Sequence, residues 1–368
     1  MHPGAVSAEA LSKPRFELPA TLHKVRVHMV GIAGSGMGGL AAFLLRRGSV
    51  VSGSDLRDGE EVRRLRSAGA RVTTVQTSES VPADAELVVR SAAIADDHPE
   101  IREARRRGLP VVKYAEMLGA LMDRCDGVAV SGTHGKSTTT AWLAYVLRRA
   151  GLDPSFVVGA VVPQLGGGSG AGDGPHFVAE ACEYDRSFLN LHPRRAAILN
   201  IEEDHLDCYA NLDAITGAFA EFARRVPSDG LLVINGNDPR CAEVARGLSS
   251  RVQTFGPSCS VDWWAADVAA QEGCYAFTVH HRRRGLGRVR LAIPGQHNVA
   301  NALAVIALAN DCGVPWELLQ PALAEFRGAR RRMELRGEAG GVRVVDDYAH
   351  HPTEIQVTLQ AVREHFNP

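Results

Sequence analysis

Residues 126–140, Asp-Gly-Val-Ala-Val-Ser-Gly-Thr-His-Gly-Lys-Ser-Thr-Thr-Thr, combine the residue types of a phosphate site. A short β-prone run, Val128–Val130, ends in a glycine turn through Thr133 and His134; Lys136, Ser137 and Thr138 then open an apolar helix. Gly132 and Gly135 can take the dihedrals that aim successive backbone N–H groups at an anion, and the helix adds its partly positive N-terminus. Lys136 can reach the outer phosphates, and Ser137 can offer a hydroxyl to Mg²⁺. The strict GxxxxGK[ST] spacing fails because Val130 stands five residues before Gly135, so this loop is a variant. Lys13, Lys24, Lys113 and Lys136 are the only lysines in an arginine-rich chain. A lysine at this spot suits a point charge on a flexible stem facing phosphate oxygens.

Two acid-rich strand ends follow. Phe177-Val-Ala-Glu180-Ala-Cys-Glu183-Tyr-Asp185 places three acids within six residues, and Ala196–Asn200 runs into Ile201-Glu202-Glu203-Asp204-His205-Leu206-Asp207. Parallel-sheet enzymes bind ligands beyond the carboxyl ends of their strands, so these acids, His205 and the phosphate loop are candidates for one crevice. Hard oxygen donors beside phosphates suit Mg²⁺, and no His or Cys pair sits next to them at zinc-ligand spacing. A structural reading makes Glu202, Glu203 and Asp204 helix N-terminal acids and His205 a core histidine; for Glu202 and Glu203 it is the favoured one.

A second glycine loop lies upstream. The alternating run 24–30 enters Gly31-Ile-Ala-Gly34-Ser-Gly36-Met-Gly38-Gly39, a helix from Leu40 to Arg47 follows, and the next strand ends at Asp55. Gly34, Gly36 and Gly39 satisfy GxGxxG, with Asp55 about where an acid meets a ribose hydroxyl; taken alone, the pattern also fits an NAD-dependent oxidoreductase. Downstream, Asn298 and Asn301 are three apart on one helix, able to present amide edges to a base or, for Asn298, to cap the helix. Asp346-Asp-Tyr348-Ala-His350-His351-Pro-Thr-Glu354 concentrates acids and histidines at a strand end, which favours a functional loop.

The elements that must position these residues alternate as βα units, the pattern of a parallel sheet covered by helices. Strands are expected at 70–75, 87–94, 110–114, 156–162 and 342–345; a mobile surface loop at 166–174; and a hairpin turn at 281–287. With 368 residues the chain has room for several domains. Its 41 basic and 42 acidic residues give no net field toward nucleic acid or an anionic membrane. Seven scattered cysteines without a CxxC pair fit a reducing cytoplasm. Residues 1–20 lack the apolar core of a signal peptide and are expected to form a disordered leader.

Taken in order, six motifs resemble the Mur ligases of peptidoglycan synthesis: Gly31–Gly39, Ser131–Thr140, Glu180–Phe188, Asn200–Tyr209, Pro294–Leu303 and Asp346–Glu354. The resemblance implies an α/β chain: an N-terminal Rossmann-like domain for a UDP group (21–124), a central P-loop ATPase domain (125–327), and the start of a C-terminal Rossmann-like domain (328–368). It implies ATP and Mg²⁺ as cofactors, and small-molecule partners, UDP-N-acetylmuramate and L-alanine. The branch it points to phosphorylates the lactyl carboxylate from ATP, and the amine of L-alanine then displaces phosphate. Carried over by position, Lys136 binds the outer phosphates, Ser137 and Glu180 one Mg²⁺, and His205 the second. Asn298 and Asn301 flank adenine, Arg331 reaches ATP, Gly34, Ser35, Gly36, Met37, Asp55 and Ser91 hold the UDP-sugar, and Tyr348, His350 and His351 face the third-domain side. Lys136, Glu180 and His205 are thereby the catalytic candidates. Cys182 and Tyr184 depart from the family pattern and receive no role, and no later lysine can be carbamoylated as a metal ligand. Residues from about 328 on are expected to be poorly ordered, and ligation by the chain alone weak or absent. The alternatives are a ligase that adds a preformed tripeptide to the same UDP-sugar, an NAD-dependent oxidoreductase, and a nucleotide-regulated binding module.

Overall fold

The computed structural model describes residues 16–366. Its first region is a parallel sheet of β1 (Arg26–Val30), β2 (Val50–Ser54), β3 (Arg71–Thr73), β4 (Leu87–Arg90) and β5 (Val111–Lys113), in spatial order β3-β2-β1-β4-β5. Helices α1 (Ser35–Arg46), α2 (Glu60–Ser67), α3 (Pro99–Arg106) and α4 (Tyr114–Met122) connect and cover it. The order reverses between β1 and β4, so the glycine loop after β1 lies at the switch point where such sheets take ligands. α1 begins at Ser35, earlier than the expected Leu40, which puts Gly36, Gly38 and Gly39 inside its first turns. Buried His28 on β1 bonds Glu100 of α3 at 2.6 Å, and Ser54 Oγ donates to the same carboxylate at 2.7 Å.

Of the expected leader, residues 1–15 lie outside the described residues. The rest is docked rather than free: Leu18 is buried, and Arg124 donates to the Leu18 and Pro19 carbonyls.

The central region comprises β6 (Asp126–Ser131), α5 (Lys136–Arg149), β7 (Ser155–Val162), β8 (Gly167–Gly170), β9 (His176–Glu180), β10 (Arg195–Ile198), α6 (Leu212–Ala223), β11 (Leu231–Asn235), α7 (Pro239–Val244), β12 (Arg251–Gly256), β13 (Trp263–Gln271), β14 (Cys274–His281), β15 (Arg284–Pro294), α8 (His297–Asp311) and α9 (Trp316–Glu325). Its sheet runs β15-β14-β13-β12-β11-β10-β6-β9-β7-β8, parallel through the middle and antiparallel at both ends. α5 and α8 are apolar nearly all round because both are enclosed; Trp142 of α5 stacks on Phe326 at 5.2 Å.

The stretch 166–174 is not a mobile loop. Residues 167–170 form β8, paired with β7, and Ser169 and Gly170 are buried. Its glycines serve close approach: a Cβ on Gly170 would lie 2.2 Å from the Phe156 ring, and one on Gly172 2.0 Å from the Asp153 carbonyl. β8 also meets the first domain, where Arg46 donates to Ser169 O at 3.3 Å.

Beyond 328 the chain is a hairpin, β16 (Glu334–Ala339) and β17 (Val342–Asp346), followed by α10 (Pro352–Phe366), rather than a poorly ordered tail. The single strand expected there acquires a partner. α10 is tied to the central sheet at its far end, where Tyr275 Oη donates to Glu364 at 2.8 Å.

Candidate active site

The central strand β6 delivers the chain into the phosphate loop with Gly132 and Gly135 at φ 138° and 81°, in the region that favours glycine. The end of β10 pins the loop. His134 N donates to Asn200 Oδ1 at 2.8 Å, Asn200 Nδ2 returns to His134 O at 3.2 Å, and Glu202 N donates to Thr133 Oγ1 at 2.9 Å. Thr138 follows in the first turn of α5, on the wall of the adjoining cavity.

Lys136 Nζ folds back on its own loop, donating to Gly132 O at 2.6 Å, Thr133 O at 2.9 Å and Glu183 Oε1 at 3.0 Å. Burial opposes its charge, but Glu183, with Cys182 and Glu180 behind it, holds the ammonium above its ordinary range. Ser137 Oγ donates to Glu180 Oε1 at 3.0 Å, and Gly159 N fixes the other carboxylate oxygen at 2.9 Å. His205, at φ 53°, sets Nε2 3.7 Å from both Glu183 Oε1 and Asp204 Oδ2. Two donor groups therefore flank Lys136: Ser137 with Glu180, and Glu183 with Asp204 and His205. Hydroxyl and carboxylate oxygens are the hard donors that fit Mg²⁺. Burial, then Glu183, pushes the Cys182 thiol up to about 12, which favours its protonated form.

Asn298 and Asn301 share a face of α8, with Asn301 Nδ2 donating to Asn298 Oδ1 at 2.9 Å. Asn298 is no N-cap; its amide donates to Pro294 O at 2.7 Å. Together with His134, Gly135, Phe255 and Ile293 they line a cavity of 210 Å³. Arg331 does not reach it: its guanidinium lies over the Tyr348 ring at 4.8 Å and near Asp346, while Arg332 lines the cavity.

In the first domain, Gly34, Ser35 and Gly36 form the turn into α1, and Met37 is buried beneath it. Asp55 braces the loop, accepting from Ala33 N at 3.0 Å and Arg57 N at 3.1 Å, and Ser91 sits against Gly31. Tyr114, at the start of α4, lies so close to Gly36 that a Cβ there would meet its ring at 2.8 Å. Burial, then the negative charge of Glu180, raises the pKa of its hydroxyl.

Tyr348 and His350 are exposed and pack edge-on at 5.3 Å. His351 is carried inward, its ring 4.6 Å from that of His134. Glu202 and Glu203 cap no helix, because the chain stays irregular until α6; Glu202 instead accepts from Thr353 Oγ1 at 2.6 Å. Glu354 lies 3.3 Å from His134 Nδ1, and despite its burial that contact and the His350 N–H hold its carboxyl at about 2. Sequence reasoning missed Tyr114, quoted Asn200 and Glu354 only as motif members, and counted Glu183 among the crevice acids without singling it out. Both acids stood inside quoted motifs, whereas nothing local marked Tyr114.

Three family models cover this architecture: the Mur ligase family catalytic domain over residues 26–125, the Mur ligase middle domain over 130–309, and the Mur ligase glutamate ligase domain over 331–368. The chain belongs to the Mur ligase family. It is 43% identical over 342 residues to UDP-N-acetylmuramate–L-alanine ligase of Caldanaerobacter subterraneus subsp. tengcongensis, covering 92% of this chain and 74% of that one. It is 41% identical to the Aquifex aeolicus enzyme of that name, covering 93% and 75%. Among solved structures, UDP-N-acetylmuramate-alanine ligase from Thermotoga maritima superposes with TM-score 0.83 at 31% identity, covering 93% of this chain and 78% of that one. The murein peptide ligase of Psychrobacter arcticus gives 0.81 at 30%, covering 92% and 76%.

Proposed function

We propose that this chain is the ATP-dependent ligase that joins L-alanine to the lactyl carboxylate of UDP-N-acetylmuramate in cytoplasmic peptidoglycan synthesis. The observation that carries this reading is the phosphate loop with Lys136 on Glu183 and Ser137 on Glu180, in a chain whose first sheet carries a second glycine loop packed at Gly36 against Tyr114. In this reading a UDP-sugar whose diphosphate sits on the first loop presents its carboxylate to a γ-phosphate held on the second.

A carboxylate is a poor electrophile, and transfer of the γ-phosphoryl group to its oxygen supplies a leaving group. The amine nitrogen then bonds to the acyl carbon as the carbon–oxygen bond to phosphate breaks, giving amide, ADP and phosphate. Lys136, released from Glu183, offsets charge on the transferring group. Ser137 with Glu180, and His205 with its acidic neighbours, would hold Mg²⁺, which supplies further charge neutralisation. Asn298 and Asn301 flank the base, and Tyr348, His350 and His351 form the wall on the third-domain side.

Calorimetric titration of the chain with UDP-N-acetylmuramate and with NADH, each with and without Mg²⁺–ATP, tests the reading. The UDP-sugar binds and NADH does not; the reverse result removes the assignment at its first domain. The likeness to the murein peptide ligase supports tripeptide addition as the second reading. Competition between L-alanine and tripeptide acceptors separates the two.

A further inference from the structure

The phosphate loop and the start of α10 bring together three side chains that are far apart in sequence. His134, Glu202 and His351 each offer a ligand atom, and these atoms all lie within 4.8 Å of one another. His351 Nε2 lies 3.1 Å from Glu203 O, so its proton belongs there; Nδ1 accepts from Thr353 N at 3.3 Å and stands 3.9 Å from Glu202 Oε2, and an ion at Nδ1 takes the place of that hydrogen bond. His134 lies between two carboxylates, Nδ1 3.3 Å from Glu354 Oε1 and Nε2 3.3 Å from Glu202 Oε2, so an ion at Nε2 takes the place of a proton. Thr353 Oγ1 holds the Glu202 carboxylate at 2.6 Å. A carboxylate or carbonyl that fixes the far nitrogen of each imidazole is the outer arrangement of histidine metal sites. Both His134 ring nitrogens are buried and lack a well-directed hydrogen bond.

The geometry points to a second type of metal site, distinct from the oxygen-rich groups beside Lys136: a divalent transition ion such as Zn²⁺ or Co²⁺ bound by His134 Nε2, Glu202 and His351 Nδ1, with one position open. Two imidazoles and one carboxylate match the three-ligand zinc pattern and discriminate against Mg²⁺, which prefers oxygen. An ion about 2.1 Å from each ligand would draw the three atoms to roughly 3.4 Å apart, a movement within reach of side-chain rotation. Such an ion ties the phosphate loop of the central sheet to the start of the third domain. Because His134 belongs to the nucleotide loop, the ion and ATP address the same segment.

The test is Co²⁺ titration of the nucleotide-free chain, followed by visible absorption, in a background with the exposed Cys208 and Cys259 changed to serine. The expected result is one tetrahedral ion, with intense d–d bands and no thiolate charge-transfer band, retained in millimolar Mg²⁺, which displaces Co²⁺ from the oxygen-rich groups beside Lys136. H351A and E202Q weaken binding at least tenfold, and E354Q, which touches only the outer arrangement, weakens it by about tenfold. H205A, which removes a histidine from the other cluster, leaves it unchanged. Absence of Co²⁺ binding by the parent, parent-like binding by H351A, or loss of binding in H205A each overturns the assignment. Circular dichroism of each variant, with H351Q as a milder replacement, separates loss of the site from loss of the fold.

Discussion

The Lys136 ammonium and the Glu183 carboxylate lie 3.0 Å apart, with Glu183 almost wholly enclosed at 2% side-chain exposure. This pair keeps the Lys136 cation charged in a buried position, and it sets the cost of removing either partner. Lys136→Met is expected to reduce kcat/KM at least a hundredfold, as loss of a charge-stabilising donor does, and to destabilise by about 3 kcal/mol because Glu183 is left buried without its cation. Adding Glu183→Gln to Lys136→Met should restore much of the stability and none of the activity. Urea melts and single-turnover kinetics read the two effects; a double variant no more stable than Lys136→Met denies the pair its structural importance.

Gly36, in the first glycine loop, leaves space for the Tyr114 ring. Gly36→Ala should weaken UDP-N-acetylmuramate binding at least tenfold while leaving ATP binding within twofold, because the added methyl displaces the Tyr114 ring rather than the phosphate loop. Calorimetry with each ligand checks this, and equal losses for both ligands would count against it.

The contrast between packed and open glycines is testable by stability alone. Gly172→Ala forces a methyl to within 2.0 Å of the Asp153 carbonyl, and overpacking of this kind costs about 1–3 kcal/mol. Gly217, inside α6, has nothing within 4 Å of the point where a Cβ would stand, so Gly217→Ala should stabilise by about 0.5–1 kcal/mol. Guanidinium melts of both variants decide; an unchanged Gly172→Ala would restore the mobile-loop reading of 166–174.

His176 is buried at the base of β9, with Asp126 favouring and Arg195 opposing its charge, and burial dominates, so its folded pKa lies below 6.5. The unfolded chain then binds the proton more readily, and stability falls as pH drops from about 6.5 toward the folded value, by at most about 1.4 kcal/mol per pH unit for this group. His176→Gln should flatten that part of the stability profile. Melts at pH 7.5, 6.5 and 5.5 measure it, and equal slopes for variant and parent would reject His176 as a source of acid sensitivity.

Much was legible in the sequence because its signals are local. The strand–glycine–lysine–helix order of 126–149 and the βα alternation of 24–113 specify phosphate loops and parallel sheets through backbone preference and hydrophobic period, whatever surrounds them. Composition alone misled at 166–174, where glycine reads equally as freedom or as close packing, and only the Phe156 ring and the Asp153 carbonyl decide between them. Glu202 shows the same limit: as a strand-end acid it resembles a helix cap, and its partners are Thr353 and His134, 151 and 68 positions away. The sequence by itself determined the chemistry available at each strand end: Lys136, Ser137, Glu180, His205 and the two asparagines of α8. Tertiary structure decided which groups meet, turning Arg331 onto Tyr348 and placing Tyr114 against Gly36 and His351 against His134. Such contacts depend on side-chain directions summed over whole domains, and no local spacing encodes them.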